Sequence, residues 1–352
     1  MSVAAGPAPG RLGAGPRRAR GPVALSTGLV VLALLLAAAT ALSLAVGSGH
    51  VALHDVVDGV FSPDRSVRGQ LVVREVRLPR TLAGLLAGAA LGLAGAVVQG
   101  LTRNPLADPG LLGVNAGAAV FVVLAISVLS LTEASQYIWF GFLGAALAAV
   151  LVYGVAGTGR EGATPVKLAL AGAAVTAALG SVTSALLLTD GRTFDQFRFW
   201  QVGSLDGRDI DVLRQALPFV LAGAVLAHAL GPRLNGLALG DDVARGLGQR
   251  LGVTRALGTG CVVLLCGAAT AVAGPLGFVG LAVPHAARLL TGPDHRWILP
   301  YSALLAPALL LLADVVGRVV ARPGEVQVGV VTAAVGCVPF VLLVRRSARA
   351  AR

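Results

Sequence analysis

The sequence predicts an all-α, polytopic membrane protein with about ten transmembrane helices. Three observations predict it. Of the 352 residues, 56% are apolar and only 13% are charged, whereas a soluble domain carries roughly twice that charged share. The mean hydropathy is +0.81. Apolar runs of about 20 residues, the length that crosses a bilayer core at 1.5 Å per residue, follow one another along most of the chain. The composition fits one membrane domain rather than a string of soluble ones.

Residues 1–22 are rich in Gly, Pro and Arg and read as a disordered cytoplasmic tail. The run from Val23 to Val46 is longer than the 7–15 residues typical of a signal-peptide core, so it reads as a first span that is retained. The spans that follow are placed at 79–101, 110–130, 138–157, 167–189, 211–231, 256–274, 277–291, 298–319 and 326–344. The segment 277–291 is short for a crossing and reads as tilted or partly re-entrant. The membrane domain thus covers 23–345, and 346–352 forms a second cytoplasmic tail.

Orientation follows from the basic residues. With a cytoplasmic N-terminus, 17 of the 28 lysines and arginines fall on inner segments and 11 on outer ones, which favours both termini inside. The outer loop 47–78 is long and polar and has room for a short surface helix over 53–61. The outer loop 190–210 carries Phe194, Phe197, Phe199 and Trp200, an aromatic cluster suited to the membrane interface. The inner loop 232–255 is the long cytoplasmic connection. Its Asp241 and Asp242 are favourable first-turn residues for a short helix.

The second span has two unusual ends. Residues 77–113 read RLPRTLAGLLAGAALGLAGAVVQGLTRNPLADPGLLG, with Arg77 and Arg80 at the entrance and a proline-framed polar exit from Arg103 to Pro109. Gly84, Gly88, Gly92, Ala96 and Gly100 recur every four residues, a small-residue stripe that lets helix backbones approach closely.

Several chemistries are absent from the sequence. No phosphate-binding loop of the form G-x-x-x-x-G-K-[ST] occurs, and Lys167, the only lysine, follows Thr-Pro-Val. The five histidines lie in separate segments, and Cys261, Cys266 and Cys337 fall in apolar runs as buried thiols, so no metal site is expected. The net charge of +11 is scattered through loops and tails and marks no nucleic-acid surface. Ion-driven secondary transporters carry acids inside their spans. Here Asp314 is the clearest candidate, and Arg318 one turn later offers it an intrahelical partner. A membrane-embedded enzyme would need clustered nucleophiles, acids or ligands, and none gather. The chain reads as a transport subunit rather than an enzyme, with its energy drawn from another subunit.

The motifs resemble a known family. Arg77-Leu78-Pro79-Arg80, Gln99, Arg103-Asn104-Pro105-Leu106-Ala107-Asp108-Pro109 and Leu112-Gly113 match the signature of the iron-siderophore and cobalamin ABC-importer permeases. Leu237-Ala238-Leu239-Gly240, Gly274-Pro275-Leu276-Gly277-Phe278, Pro284-His285, Asp294-His295-Arg296, Ala313-Asp314, Arg318, Glu325 and Gly329 continue the resemblance in order from about residue 71 to 345. The string TRNPLADPGLLGVNAGA is closest to permeases for ferric catecholate siderophores of the enterobactin type. Two departures touch local helix geometry: Gln327 stands at a frequent proline position, and Pro339 lies one residue later than usual.

The resemblance implies a type II ABC-importer permease fold in a bacterial cytoplasmic membrane. It implies a second permease subunit, identical or similar, and two ATPase subunits that hold the ATP and Mg, this chain carrying no cofactor. It also implies an extracytoplasmic siderophore-binding protein, docked at Arg77, Arg80 and Arg318, where guanidinium forks would meet carboxylates. Asn104, Pro105 and Leu106, with Thr164, Pro165 and Val166, match cytoplasmic gate positions. Leu239, Gly240, Asp241, Asp242, Ala244, Leu247 and Gly248 match the segment that couples to the ATPase. Cobalamin or haem is the alternative cargo on the same scaffold, and an ion-coupled secondary transporter is the alternative of another class.

Overall fold

A computed structural model describes residues 21–131, 133–158 and 164–337. Residues 1–20 of the first expected tail, all of the second, and the end of the last expected span with Pro339 lie outside the described residues. Helix α1 (Pro22–Ala45) is followed by the short α2 (Leu53–Phe61) and α3 (Arg68–Val72). A π-helical turn, Val73–Arg77, joins α3 to α4 (Leu78–Thr102). After the 3-10 turn Pro109–Leu112 come α5 (Val114–Leu129), α6 (Ala134–Ala156) and α7 (Pro165–Thr189). The second half holds α8 (Gly191–Gln201), α9 (Ile210–Ala238), α10 (Asp241–Gly246) and α11 (Leu251–Ala273). It ends with α12 (Val279–Thr291), α13 (His295–Val320) and α14 (Val328–Cys337). No strand occurs among the described residues.

Among the described residues, seven helical segments are long and apolar enough to cross a membrane. The other three expected spans fall on shorter helices, α5, α12 and the described part of α14. A 16-residue helix such as α5 rises only about 24 Å, short of the roughly 30 Å of hydrocarbon. Its missing length was expected from residues 110–113, which form a 3-10 turn and a left-handed Gly113 instead.

Helix α4 is the axis of the bundle. It packs against α13, α11, α9 and α12, and almost every side chain from Ala87 to Leu101 is buried. The glycine stripe explains how. Cβ atoms at Gly84, Gly88 and Gly92 would run into Leu311, Pro307 and Ser302 of α13, so the two backbones lie nearly in contact. Gly95, off that stripe, faces the Gly280 carbonyl of α12. The stripe therefore packs helices and lines no path.

Three expectations change. Two of the aromatics expected at the membrane interface, Phe197 and Trp200 of α8, turn into the core instead. Phe197 is fully buried and Trp200 nearly so, with ring centroids 5.4 Å apart, while Phe194 alone of the two flanking phenylalanines is described and is half exposed. Burying two rings in the core recovers more apolar area than leaving them at the interface. Helix α9 runs through Pro232 to Ala238, seven residues past the expected end, because Leu234 and Leu237 bury against the bundle. The connection that carries α10 is correspondingly short. Cys261 and Cys266 are buried as expected, but Cys337 is exposed.

Candidate functional site

The two ends of α4 carry the polar constellations. At the N-terminal end, the π-helical turn and the first turn of α4 present Arg77 and Arg80, and the last turns of α13 present Asp314 and Arg318. All four residues are buried, none more than 5% exposed. A charge removed from water needs a counter-charge or hydrogen bonds: Arg80, Asp314 and Arg318 are ion-paired, and Arg77 is hydrogen-bonded to backbone carbonyls.

Arg80 grips Asp314 with two nitrogens: Nε donates to Oδ2 at 3.0 Å and Nη2 to Oδ1 at 2.8 Å. Its Nη1 donates to Glu325 at 2.6 Å and lies 3.3 Å from Asp206. Arg318 Nη2 lies 2.8 Å from Oδ2 of Asp314, the oxygen that Arg80 Nε also reaches. Asp314 is thus shared by two arginines, one on its own helix and one on α4. Outside the spans, burial works to raise the carboxyl of Glu325, but the hydrogen bond and charge of Arg80 outweigh it and hold it below the usual value.

The same arginines finish α1. The last turn of a helix leaves carbonyls without partners, and α1 has no basic residue there. Arg77 donates from Nη1 to the carbonyls of Leu44 (2.8 Å) and Ala45 (2.7 Å), and from Nη2 to that of Gly49. Arg318 donates to the carbonyls of Ser43 and Val46, and Arg322 to that of Gly47. Cations at a helix C-terminus also oppose its negative pole. Arg77, Arg80, Arg318 and Glu325 line a cavity of about 530 Å³. A second cavity of about 620 Å³ beside it is lined by Arg74, Asp206, Arg208 and Arg214 among others.

At the opposite end of α4, Arg103 caps the helix in the left-handed region (φ 52°, ψ 30°). Asn104 then accepts the Leu106 N–H at 2.9 Å, closing a tight turn around Pro105. Asp108 caps the following 3-10 turn through the Gly110 N–H at 2.8 Å. Burial raises the Asp108 carboxyl above its usual value, against the pull of that bond. Thr164 accepts the Lys167 N–H and caps α7, with Pro165 at its first position and Val166 exposed. Proline there is favourable, since its missing N–H has no helical partner to lose.

Helix α10 projects from this end. Gly240 (φ 105°) and Gly248 (φ 80°) bound it in conformations that favour glycine. Ala244 is fully buried and roots the helix on the bundle. Leu239, Val243 and Leu247, on α10 and at its two edges, are 63%, 48% and 64% exposed. Asp242 points outward and pairs with Arg245 at 2.8 Å, while Asp241 turns inward to Arg255 at 2.8 Å.

Sequence reasoning missed Asp206, Ser43 and Arg322 at the arginine end. It also missed Asn235, which bonds both Asp294 and His295 and ties α9 to the start of α13. The one available signal was Asp314 itself: an acid in an apolar span demands a counter-charge, yet nothing in the spacing names Arg80.

The geometry is that of a helical membrane bundle with a charged constellation at each end and, among the described residues, no metal-ligand cluster. The FecCD transport family matches residues 34–346. The chain belongs to that family. Among FecCD relatives, the ferric enterobactin transport system permease protein FepD of Escherichia coli (strain K12) is 47% identical over 332 residues, covering 94% of this chain and 98% of that protein. The Fe(3+)-citrate import system permease protein YfmD of Bacillus subtilis (strain 168) is 42% identical over 308 residues, covering 88% and 91%. A solved structure described as an inward-facing conformation of a metal-chelate type ABC transporter superposes with a TM-score of 0.80 at 28% identity, covering 91% of this chain and 99% of that one. This FecCD chain is accordingly a multi-pass membrane permease, a transport subunit rather than an enzyme.

Proposed function

We propose that this chain carries a ferric siderophore through a bacterial cytoplasmic membrane, as the permease of an importer driven by separate ATPase subunits. The observation that carries the reading is the pair of unlike ends on α4 in a FecCD chain. One end is a buried arginine constellation beside an open cavity, and the other a stiff turn beside a projecting helix with exposed leucines at its edges. The cargo follows from the likeness to the ferric enterobactin permease along almost the whole of both chains.

In this reading the chain crosses the membrane about ten times with both termini in the cytoplasm, as the excess of inner arginines favours. The arginine end faces outward and receives a siderophore-binding protein, its carboxylates meeting Arg77, Arg80 and Arg318 at the cavity wall. Those guanidiniums already hold internal partners, so docking adds acceptors to a preset cluster and demands no ordering of loose side chains. The opposite end faces inward. Asn104, Pro105 and Leu106, with Thr164, Pro165 and Val166, form the gate. The exposed Leu239, Val243 and Leu247 seat in an ATPase subunit that binds ATP and Mg, and Asp241, Asp242, Gly240, Ala244 and Gly248 shape that helix. A second permease, identical or similar, completes the path with a second ATPase.

Uptake in a deletion strain tests the cargo. Loss of labelled ferric catecholate uptake with unchanged cobalamin uptake is the expected result, restored by the intact gene. Lost cobalamin uptake with normal iron uptake overturns it. Cysteines at positions 239, 243 and 247 are expected to cross-link to an ATPase subunit, and failure at all three removes the coupling role.

A further inference from the structure

The left-handed cap of α4 is an unusual place for arginine. A helix that ends in this conformation ordinarily ends on glycine, which has no Cβ to clash, or on asparagine. Arg103 is one of three non-glycine residues with positive φ among those described. Its backbone bonds are those any residue would make there: its N–H goes to the Gly100 carbonyl, and the Asn104 N–H to that of Gln99. The backbone alone therefore favours glycine, and the reason for arginine lies in its side chain.

That side chain reaches α10. Nη2 of Arg103 lies 3.3 Å from Oδ1 of Asp241, while Oδ2 of Asp241 accepts from Nη2 of Arg255 at 2.8 Å. Arg103 ends α4, Asp241 begins α10 and Arg255 lies in the first turns of α11, so one carboxylate joins three elements. Asp241 is about a quarter exposed, and its neighbour Asp242 is fully exposed on the other side. The inward aspartate is thus set apart from the outward one by the two arginines that face it. Arg103 is also the residue immediately before Asn104, Pro105 and Leu106. The side chain that holds α10 and the backbone that starts the turn belong to one residue.

We propose that Arg103 is a positioning residue that links the turn at 104–106 to α10 through Asp241. A displacement of α10 pulls on Asp241, and Asp241 pulls on a residue whose left-handed backbone has little freedom to absorb the motion. The turn must then move with α10, as coupling through a contiguous physical contact requires. This inference rests on the reading of α10 as the ATPase contact and of 104–106 as the gate, and adds the connection between them.

The sign of one substitution separates this role from a structural one. Arg103→Gly removes the side chain and relieves the backbone. With the permease and its ATPase purified together, reconstituted in proteoliposomes and supplied with the siderophore-binding protein, the variant is expected to unfold at the wild-type temperature or above it. It should retain its ATPase and hydrolyse ATP at the basal rate. Siderophore transported per ATP should fall at least fivefold, and Arg103→Lys, which keeps the charge, should recover part of it. Asp241→Asn should give the same loss. Wild-type transport per ATP in Arg103→Gly overturns the proposal, as does a lower unfolding temperature, which would make Arg103 a fold residue. A wild-type permease that holds no ATPase overturns the underlying reading instead, a result visible before any variant is compared.

Discussion

Arg80 and Asp314 lie 234 positions apart and meet with two arginine nitrogens on one buried carboxylate. The contact fastens the start of α4 to the end of α13, the same two helices that the glycine stripe brings together lower down. Close backbone approach and a buried ion pair thus act on one interface. The small residues set the distance between the helices, and the ion pair sets their register along the axis. An arginine suits this task because its fork addresses Asp314 on one edge and Glu325 on the other.

Asp314→Asn removes the negative charge between Arg80 and Arg318 and leaves two buried cations facing each other. Breaking a buried pair by removing one partner costs about 3–5 kcal/mol. The expected outcome is a clear fall in the unfolding temperature in detergent, with transport lost in proportion to folded protein. Fully folded Asp314→Asn that fails to transport would point to an ion-coupled mechanism. The double variant Arg80→Met with Asp314→Leu should cost less than the sum of its parts, since the partners leave together.

Glu325 gives the arginine cluster a pH dependence with a definite sign. Its carboxyl is held below the usual value in the folded protein, so the folded state binds its proton less readily than the unfolded chain. Stability from this group is fully present above the unfolded value near 4.5 and is lost as pH falls through the lower folded value. Comparing wild type with Glu325→Gln from pH 7 downward should show a constant difference at first, of about 1.5–3 kcal/mol for a hydrogen bond between charged groups. The difference should close below about pH 4.5. A gap that widens on acidification contradicts the assignment.

Arg77 serves a different structure from Arg80, although the two stand one turn apart in sequence. Its three hydrogen bonds all end on carbonyls at or after the end of α1. Arg77→Ala should therefore loosen segment 44–50 locally while the α4–α13 interface stays intact. Hydrogen exchange is expected to quicken in peptides covering that segment, with little change in those from α13. Equal exchange in both would show that Arg77 does not hold the end of α1.

The parts of this molecule readable in the sequence are those governed by short-range rules. Apolar run length located α1, α4 and α13, and Asp241 with Asp242 marked the start of α10. The small-residue spacing marked the packing face of α4. What escaped depends on long-range geometry. The π-helical turn at Val73–Arg77 has no proline or glycine to announce it, yet it sets the direction in which Arg77 and Arg80 leave the helix. Arg77, Arg80 and Arg318 read from the sequence as arginines at the ends of spans, open to a partner protein, and only the fold shows them buried and spending donors on α1 and α13. Phe197 and Trp200 read as interface aromatics for the same reason, since burial by distant elements leaves no local mark.

Glycines in the same helical bundle should respond to alanine with opposite signs. In a helix interior, alanine is favoured over glycine by about 0.5–1 kcal/mol, because glycine loses more backbone freedom on folding. Gly180 of α7 has open space where a Cβ would go, so Gly180→Ala should raise the unfolding temperature slightly. Gly95 of α4 faces the Gly280 carbonyl, and a Cβ there collides with backbone that no rotamer change can move aside. Overpacking of this kind costs about 1–3 kcal/mol, which exceeds the helical gain. Gly95→Ala should therefore lower the unfolding temperature and spread α4 from α12. Pairing it with Gly280→Ala should not rescue it, since the obstacle is the carbonyl and remains. Stabilisation by Gly95→Ala would mean that α4 and α12 lie farther apart than the fold described here.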